Sequence, residues 1–184
     1  MRKLILFGDS ITAGYANDFV SPILTKKLAT YFPEETILNV GIPGDTTVDG
    51  IARLEKHVLS KQPDFVTVFF GSNDASTGLL VPIDDYRLHL TKMIETIGAS
   101  KVILITPALS NQALQQAERP NSRLIHYGNI VRELATQYQT KLAELQLAML
   151  DRPNYLDCLQ EDGFHFSEIG YNVLAEEIAK AIKA

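Results

Sequence analysis

The chain has 184 residues, 46% of them hydrophobic and 21% charged, with a formal net charge of −5. That length suits one domain with a sizeable hydrophobic core, and the acidic balance, with no basic run, argues against a nucleic-acid partner. A lone cysteine, Cys158, excludes an internal disulfide and gives no sign of an oxidising compartment.

The opening MRKLILF sets two basic residues before an apolar run of four, shorter than a signal-peptide h-region. No stretch is long and apolar enough to span a bilayer, so the expected location is the cytoplasm. Strand-like and helix-like segments then alternate. Residues 4–7 are a continuous apolar run ending at Gly8, a buried strand. Residues 19–32 have helical spacing, from Phe19 through Ile23, Leu24 and Leu28 to Tyr31. A second short strand, 36–40, again ends at a glycine, Gly41. A helix over 46–59 puts Val48, Ile51, Leu54 and Val58 on one face. DFVTVFFG, 64–71, is the clearest strand, being β-branched, aromatic and apolar on both faces. A helix follows over 84–97, with Leu88, Ile94 and Ile97 among its apolar positions. KVILITP, 101–107, is a fourth strand stopped by proline. Residues 121–138 read as a helix. Residues 141–150 have helical propensity, whereas the alternation asks for a fifth strand near 142–145. The last helix, 167–182, is capped by Ser167 and carries Ile169, Val173, Leu174 and Ile178.

Strands apolar on both faces and separated by helices imply a parallel sheet with helices on each side. The chain has no repeat, low-complexity linker or composition break, so a single domain over 1–184 is expected. Its longest irregular stretches, 71–82 and 108–120, follow strands, on the edge where open α/β folds place their sites. Strand one ends in GDS, strand two in NVGIPGDTT and strand three in GSND. In the order 2-1-3-4-5 these three strands are neighbours, so Ser10, Gly41 and Asn73 converge on one crevice. A serine hydroxyl can attack a carbonyl, a glycine N–H can approach a substrate oxygen unobstructed, and an asparagine amide can donate to an oxyanion without bringing a charge.

A nucleophilic serine needs a base. His57, His89 and His126 fall on amphipathic helices, where a surface or packing role is the simpler reading. His165 sits in EDGFHFSEIGY, just before the last helix, with Asp162 three residues upstream. That turn lets the carboxylate fold back to the imidazole Nδ1 and fix its tautomer. An Asp-x-x-His pair is also half a metal site, but the further ligands at zinc spacing are missing. Asp9 is given no chemical role, Asp45 and Thr46 read as helix caps, and Asp74 reads as support for the loop around Asn73.

FGDSIT, Gly41, GSND and DGFH resemble, in order, the four sequence blocks of the SGNH, or GDSL-type, hydrolases, over a span from Phe7 to Tyr171. The resemblance implies a flavodoxin-like three-layer α/β/α sandwich with a five-stranded sheet and no metal or cofactor. It also implies Ser10 as nucleophile, His165 as base and then acid, and Asp162 as its orienting carboxylate. Gly41, Asn73 and the Ser10 N–H would form the oxyanion hole. VTVFFGSNDA, VPIDDYRLHL and VILITP look like the isoamyl acetate-hydrolysing branch, which cleaves small acetate esters, so the expected partner is a small-molecule ester. The middle loop, ALSNQALQQAERPNSR, has no matching signature. Lysophospholipase, thioesterase and carbohydrate deacetylase are the competing activities within the family, and a flavodoxin-like binding module is the alternative outside enzymes. The oligomeric state is not legible in the sequence.

Overall fold

The computed structural model describes residues 2–16 and 18–184. Five strands build one sheet: β1 (Lys3–Gly8), β2 (Thr36–Asn39), β3 (Phe65–Phe69), β4 (Val102–Ile105) and β5 (Lys141–Ala143). They lie in the order β2-β1-β3-β4-β5, and every pair is parallel. In β1 the alternation of side chains feeds two separate cores. Leu4 and Leu6 pack on one face with Ile103 and Ile105; Ile5 and Phe7 pack on the other with Val66 and Val68. Helices cover both faces, so almost no strand position faces water and the strands read as unbroken apolar runs.

The helices are α1 (Ser10–Ala13), α2 (Ile23–Tyr31), α3 (Thr47–His57), α4 (Ile83–Ile97), α5 (Gln112–Gln115), α6 (Asn121–Tyr138), α7 (Leu145–Leu150) and α8 (Glu168–Lys183). Buried residues of α3, α4 and α6 line the Phe7 face, and those of α2, α7 and α8 line the Leu6 face. Ser167 caps α8 by accepting from the Gly170 N–H. Among the described residues no helix is long and apolar enough to cross a membrane.

Several expected elements shift. The helix expected over 19–32 begins only at Ile23, after Pro22. Phe19 and Val20 instead pair antiparallel with Tyr15 and Ala16, and Phe19 is 75% exposed. Its place in the helical pattern is a coincidence of spacing. Leu88, Val48 and Ile169 also point outward. The inward stripe of α4 runs instead through Tyr86, Leu90, Met93, Ile94 and Ile97. Both readings of 141–150 hold in part: Lys141–Ala143 pairs with β4, and Leu145 begins α7, where Thr106 Oγ1 accepts from the Gln146 N–H at 3.0 Å.

The ends of β1 and β2 are tied by one side chain. Arg53, on α3, donates to the Gly8 carbonyl (2.9 Å), the Val40 carbonyl (2.6 Å) and Asp45 Oδ2 (2.6 Å), with its guanidinium over the Phe7 ring. Asp45 is therefore an ion-pair partner rather than a helix cap. The cap of α3 is Thr46, in a reciprocal box with Asp49. Removing Arg53 would strand the Asp45 carboxylate and the Val40 carbonyl and leave the Gly8 carbonyl with the Ile42 N–H alone. Arg53→Met is expected to lower stability by about 3–5 kcal/mol, the cost of breaking a largely buried ion pair, read from urea unfolding. An unchanged midpoint would show that the two strand ends hold without it.

Candidate active site

The GDS of the sequence is the exit of β1. Asp9 caps the single turn of α1 by accepting the Ile11 N–H at 2.9 Å. Ser10 is the first residue of that turn and is 4% exposed. Its backbone N–H has no acceptor among the described residues, as expected at a helix start. At the far end of the chain, the turn before α8 brings in His165. Its Nε2 lies 3.1 Å from Ser10 Oγ, and its Nδ1 lies 2.6 Å from Asp162 Oδ2.

Asp162 is held by three donors. Oδ1 accepts the backbone N–H groups of Phe164 and His165, both at 2.9 Å, while Oδ2 faces the ring. Burial pushes its pKa up, but the His165 ring and the two backbone donors outweigh burial and hold it below the ordinary carboxylate value. A carboxylate on Nδ1 selects the tautomer that carries its proton there. The bare Nε2 then faces the Ser10 hydroxyl, the alignment a proton transfer from that hydroxyl requires. Tyr15 and Phe164 flank the imidazole, with ring centroids 4.8 and 4.5 Å away. A cleft of about 760 Å³ opens on the Tyr15 side of His165, lined also by Asp18, Ser21, Gln160 and Tyr171; Ser10 is not on its wall.

Asn73, 3% exposed, sits in the loop after β3. Its Nδ2 donates to the Asp45 carbonyl at 3.0 Å, and its Oδ1 accepts from Arg119 Nη2 at 3.2 Å. One Nδ2 proton remains uncommitted. Asp74 supports this loop as expected: Oδ1 accepts from the Thr47 N–H and hydroxyl, Thr47 Oγ1 also lies 3.0 Å from His89 Nδ1, and burial raises the Asp74 pKa. His57, His89 and His126 lie on helices outside the Ser10–His165 pair.

Gly41 does not sit as an oxyanion donor. Its N–H is already given to Asn39 Oδ1 at 3.0 Å, and Asn39 Nδ2 is in turn anchored on the Thr12 carbonyl. What fixes glycine here is contact: a Cβ at position 41 would lie 2.4 Å from the Ala13 nitrogen and 2.9 Å from the Asp9 carbonyl oxygen. Gly41 lets the β2 exit press against α1. Among the described residues the N–H on this loop without an acceptor belongs to Gly44, next to the Asp45 carbonyl that Asn73 holds. Gly44 has φ +87°, and nothing lies within 4 Å of where its Cβ would be. The sequence carried a signal for it, the second glycine of GIPGDTT, which the strand-end pattern passed over in favour of the first.

Among the described residues no three His, Cys, Asp or Glu side chains cluster so as to hold a metal ion. Asp9, 2% exposed, is the unusual carboxyl near the serine. Burial pushes its pKa up to about 7; the Ile11 N–H and Arg119 oppose the shift, and Asp74 adds to it.

Comparison with known proteins finds relatives over nearly the whole chain. The profile of the GDSL-like Lipase/Acylhydrolase family matches residues 6–173. The crystal structure of a lipase/acylhydrolase from Enterococcus faecalis superposes with a TM-score of 0.95 at 41% identity, covering 100% of this chain and 96% of that one. An acetylxylan esterase of Geobacillus stearothermophilus is 28% identical, over 98% of this chain and 94% of its own length. An isoamyl acetate-hydrolyzing esterase of Schizosaccharomyces pombe is 24% identical, over 98% and 75% respectively.

The raised Asp9 carboxyl makes stability depend on pH. Between about pH 4 and pH 7 the unfolded chain has released this proton while the fold still holds it, so the group's contribution to stability falls as pH rises through that window. Asp9→Asn keeps an acceptor for the Ile11 N–H and removes the titration. Its stability relative to wild type is expected to improve from about pH 4.5 to about pH 7.5 in urea unfolding. A difference that stays constant across that range would place the Asp9 pKa at its ordinary value.

Proposed function

The chain belongs to the GDSL-like lipase/acylhydrolase family, and on that premise we propose that it is a serine esterase for small acetate-type esters, with Ser10, His165 and Asp162 as its triad. Ester hydrolysis is the chemistry of the family. The observation that carries the residue roles is the unbroken line from Asp162 Oδ2 through the His165 ring to Ser10 Oγ, at 2.6 and 3.1 Å.

In the proposed reaction Ser10 Oγ attacks the ester carbonyl as His165 Nε2 takes its proton. The tetrahedral oxyanion accepts from the Ser10 N–H, the Gly44 N–H and the second Nδ2 proton of Asn73, none of which has another partner among the described residues. His165 then protonates the leaving alcohol. A water molecule, deprotonated by the same imidazole, displaces the acid and restores the serine. Gly41 enters as the residue that lets α1 and the Gly44 loop close together.

Acetate is proposed as the acyl group because two relatives whose names specify acetyl esters differ in the alcohol, a polysaccharide in one and isoamyl alcohol in the other. The proposal takes residues 1–184 as one hydrolase domain, which the match over 6–173 supports. It includes cytoplasmic residence, with which the single, buried Cys158 agrees.

With p-nitrophenyl acetate as substrate, Ser10→Ala is expected to abolish turnover; equal rates in variant and wild type would remove Ser10 from the reaction. Asn73→Ala is expected to lower kcat by about 10²–10³, the usual cost of one oxyanion donor. An unchanged kcat would take Asn73 out of the donor set.

A further inference from the structure

We propose that Arg119 is a positioning residue that fixes which end of the Asn73 amide faces the developing oxyanion, an inference that rests on the donor set proposed above.

A side-chain amide presents an acceptor at one end and donors at the other, and a rotation of half a turn exchanges them. If Oδ1 of Asn73 faced the oxyanion, it would repel the charge that Nδ2 is there to hold. Two partners decide the orientation. The Asp45 carbonyl accepts and therefore takes an Nδ2 proton, at 3.0 Å. A guanidinium only donates, so Arg119 Nη2, at 3.2 Å, can face nothing but Oδ1. Flipping the amide would set oxygen against the Asp45 carbonyl and protons against a cation. The bond from Arg119 also draws electron density toward Oδ1, which makes the remaining Nδ2 proton a stronger donor.

Arg119 is itself firmly held. Its Nε donates to the Ser72 carbonyl at 3.2 Å, Nη1 donates to Gln115 Oε1 at 3.3 Å, and the guanidinium lies 4.0 Å from the centre of the Phe164 ring. Burial disfavours its charge, while Glu118, Asp9 and Asp162 favour it. Gln115 continues the line by donating Nε2 to the Asp162 carbonyl at 2.9 Å, and the Asn111 N–H donates to the Gly163 carbonyl at 2.8 Å. The segment from Asn111 to Arg119 thus touches the turn that carries the base at one end and the loop that carries Asn73 at the other. This is the stretch for which the sequence offered no family signature.

Because Arg119 also supports the fold, loss of activity alone does not test its role. The discriminating measurement is a double-mutant cycle on kcat with p-nitrophenyl acetate, using wild type, Asn73→Ala, Arg119→Met and the double variant. Arg119→Met is expected to lower kcat about 10- to 100-fold when Asn73 is present, the scale of a mispositioned catalytic group. KM should move little, because the interaction matters in the transition state. In the Asn73→Ala background the same substitution should change kcat by less than about twofold, since no amide is left to orient. An equal loss in both backgrounds would overturn the proposal and leave Arg119 a structural residue. No loss in the presence of Asn73 would overturn it too. If Arg119→Met does not fold, Arg119→Lys, which keeps the charge but not the planar fork, is read in the same two backgrounds with the same criterion. An Asn73→Ala variant at full kcat would instead sink the donor set on which the inference rests.

Discussion

The exits of two neighbouring parallel strands are held by one cation, the Arg53 guanidinium, which donates to the carbonyls of Gly8 and Val40; Gly8 also accepts the Ile42 N–H at 3.1 Å. Gly8 ends β1, Val40 directly follows β2, and Asp45 lies further along the same loop. One planar group with five donors in a fixed fork suits this task, where a lysine would supply only a point charge. The three acceptors belong to the segments that carry the serine turn and the Gly44 loop. Asp45 then passes the constraint on, since its carbonyl receives Asn73 from the third strand end. The crevice between three loops is thereby given a floor of hydrogen bonds before any substrate group enters it.

On that floor the base is delivered from a distant part of the chain. The turn from Gln160 to His165 closes on itself through the Gln160 N–H and the His165 carbonyl at 2.7 Å, and through the Gly163 N–H and the Gln160 carbonyl at 2.9 Å. Tyr171, on the following helix, donates its hydroxyl to the Ile11 carbonyl at 2.9 Å, fastening α8 directly to the turn that begins with Ser10. The separation of Ser10 and His165 is thus set by backbone and core, with little left to side-chain freedom. Such preorganisation is what a short proton-transfer distance requires.

Much of this arrangement was legible in the sequence because it rests on local rules. Unbroken apolar strands dictate a doubly covered parallel sheet, and polar motifs at three strand ends must then share an edge. The Asp162–His165 spacing is a turn property and transfers directly. What sequence could not supply was the direction of individual backbone groups. Gly41 looked like a donor because it ends a strand, yet the Asn39 side chain folds back and takes its N–H. Phe19 fitted a helical stripe, but Pro22 and the pairing with Ala16 place it in a short hairpin. Arg119 and Asn73 are 46 residues apart, and nothing local relates them.

The hydrogen bonds that join the segment from Asn111 to Arg119 to its neighbours have a bearing on how this family can diversify. Two of them run to the main-chain carbonyls of Asp162 and Gly163, one from the Gln115 side chain and one from the Asn111 backbone N–H, and Leu114 in the same segment turns its side chain largely to solvent. The Asn111 N–H makes its bond whatever the side chain, whereas Gln115 and Arg119 act through their side chains, so the segment can vary at exposed positions such as Leu114 while those two donors keep their grip. Redesign of this stretch has few obligate identities to preserve and a backbone path with almost no latitude.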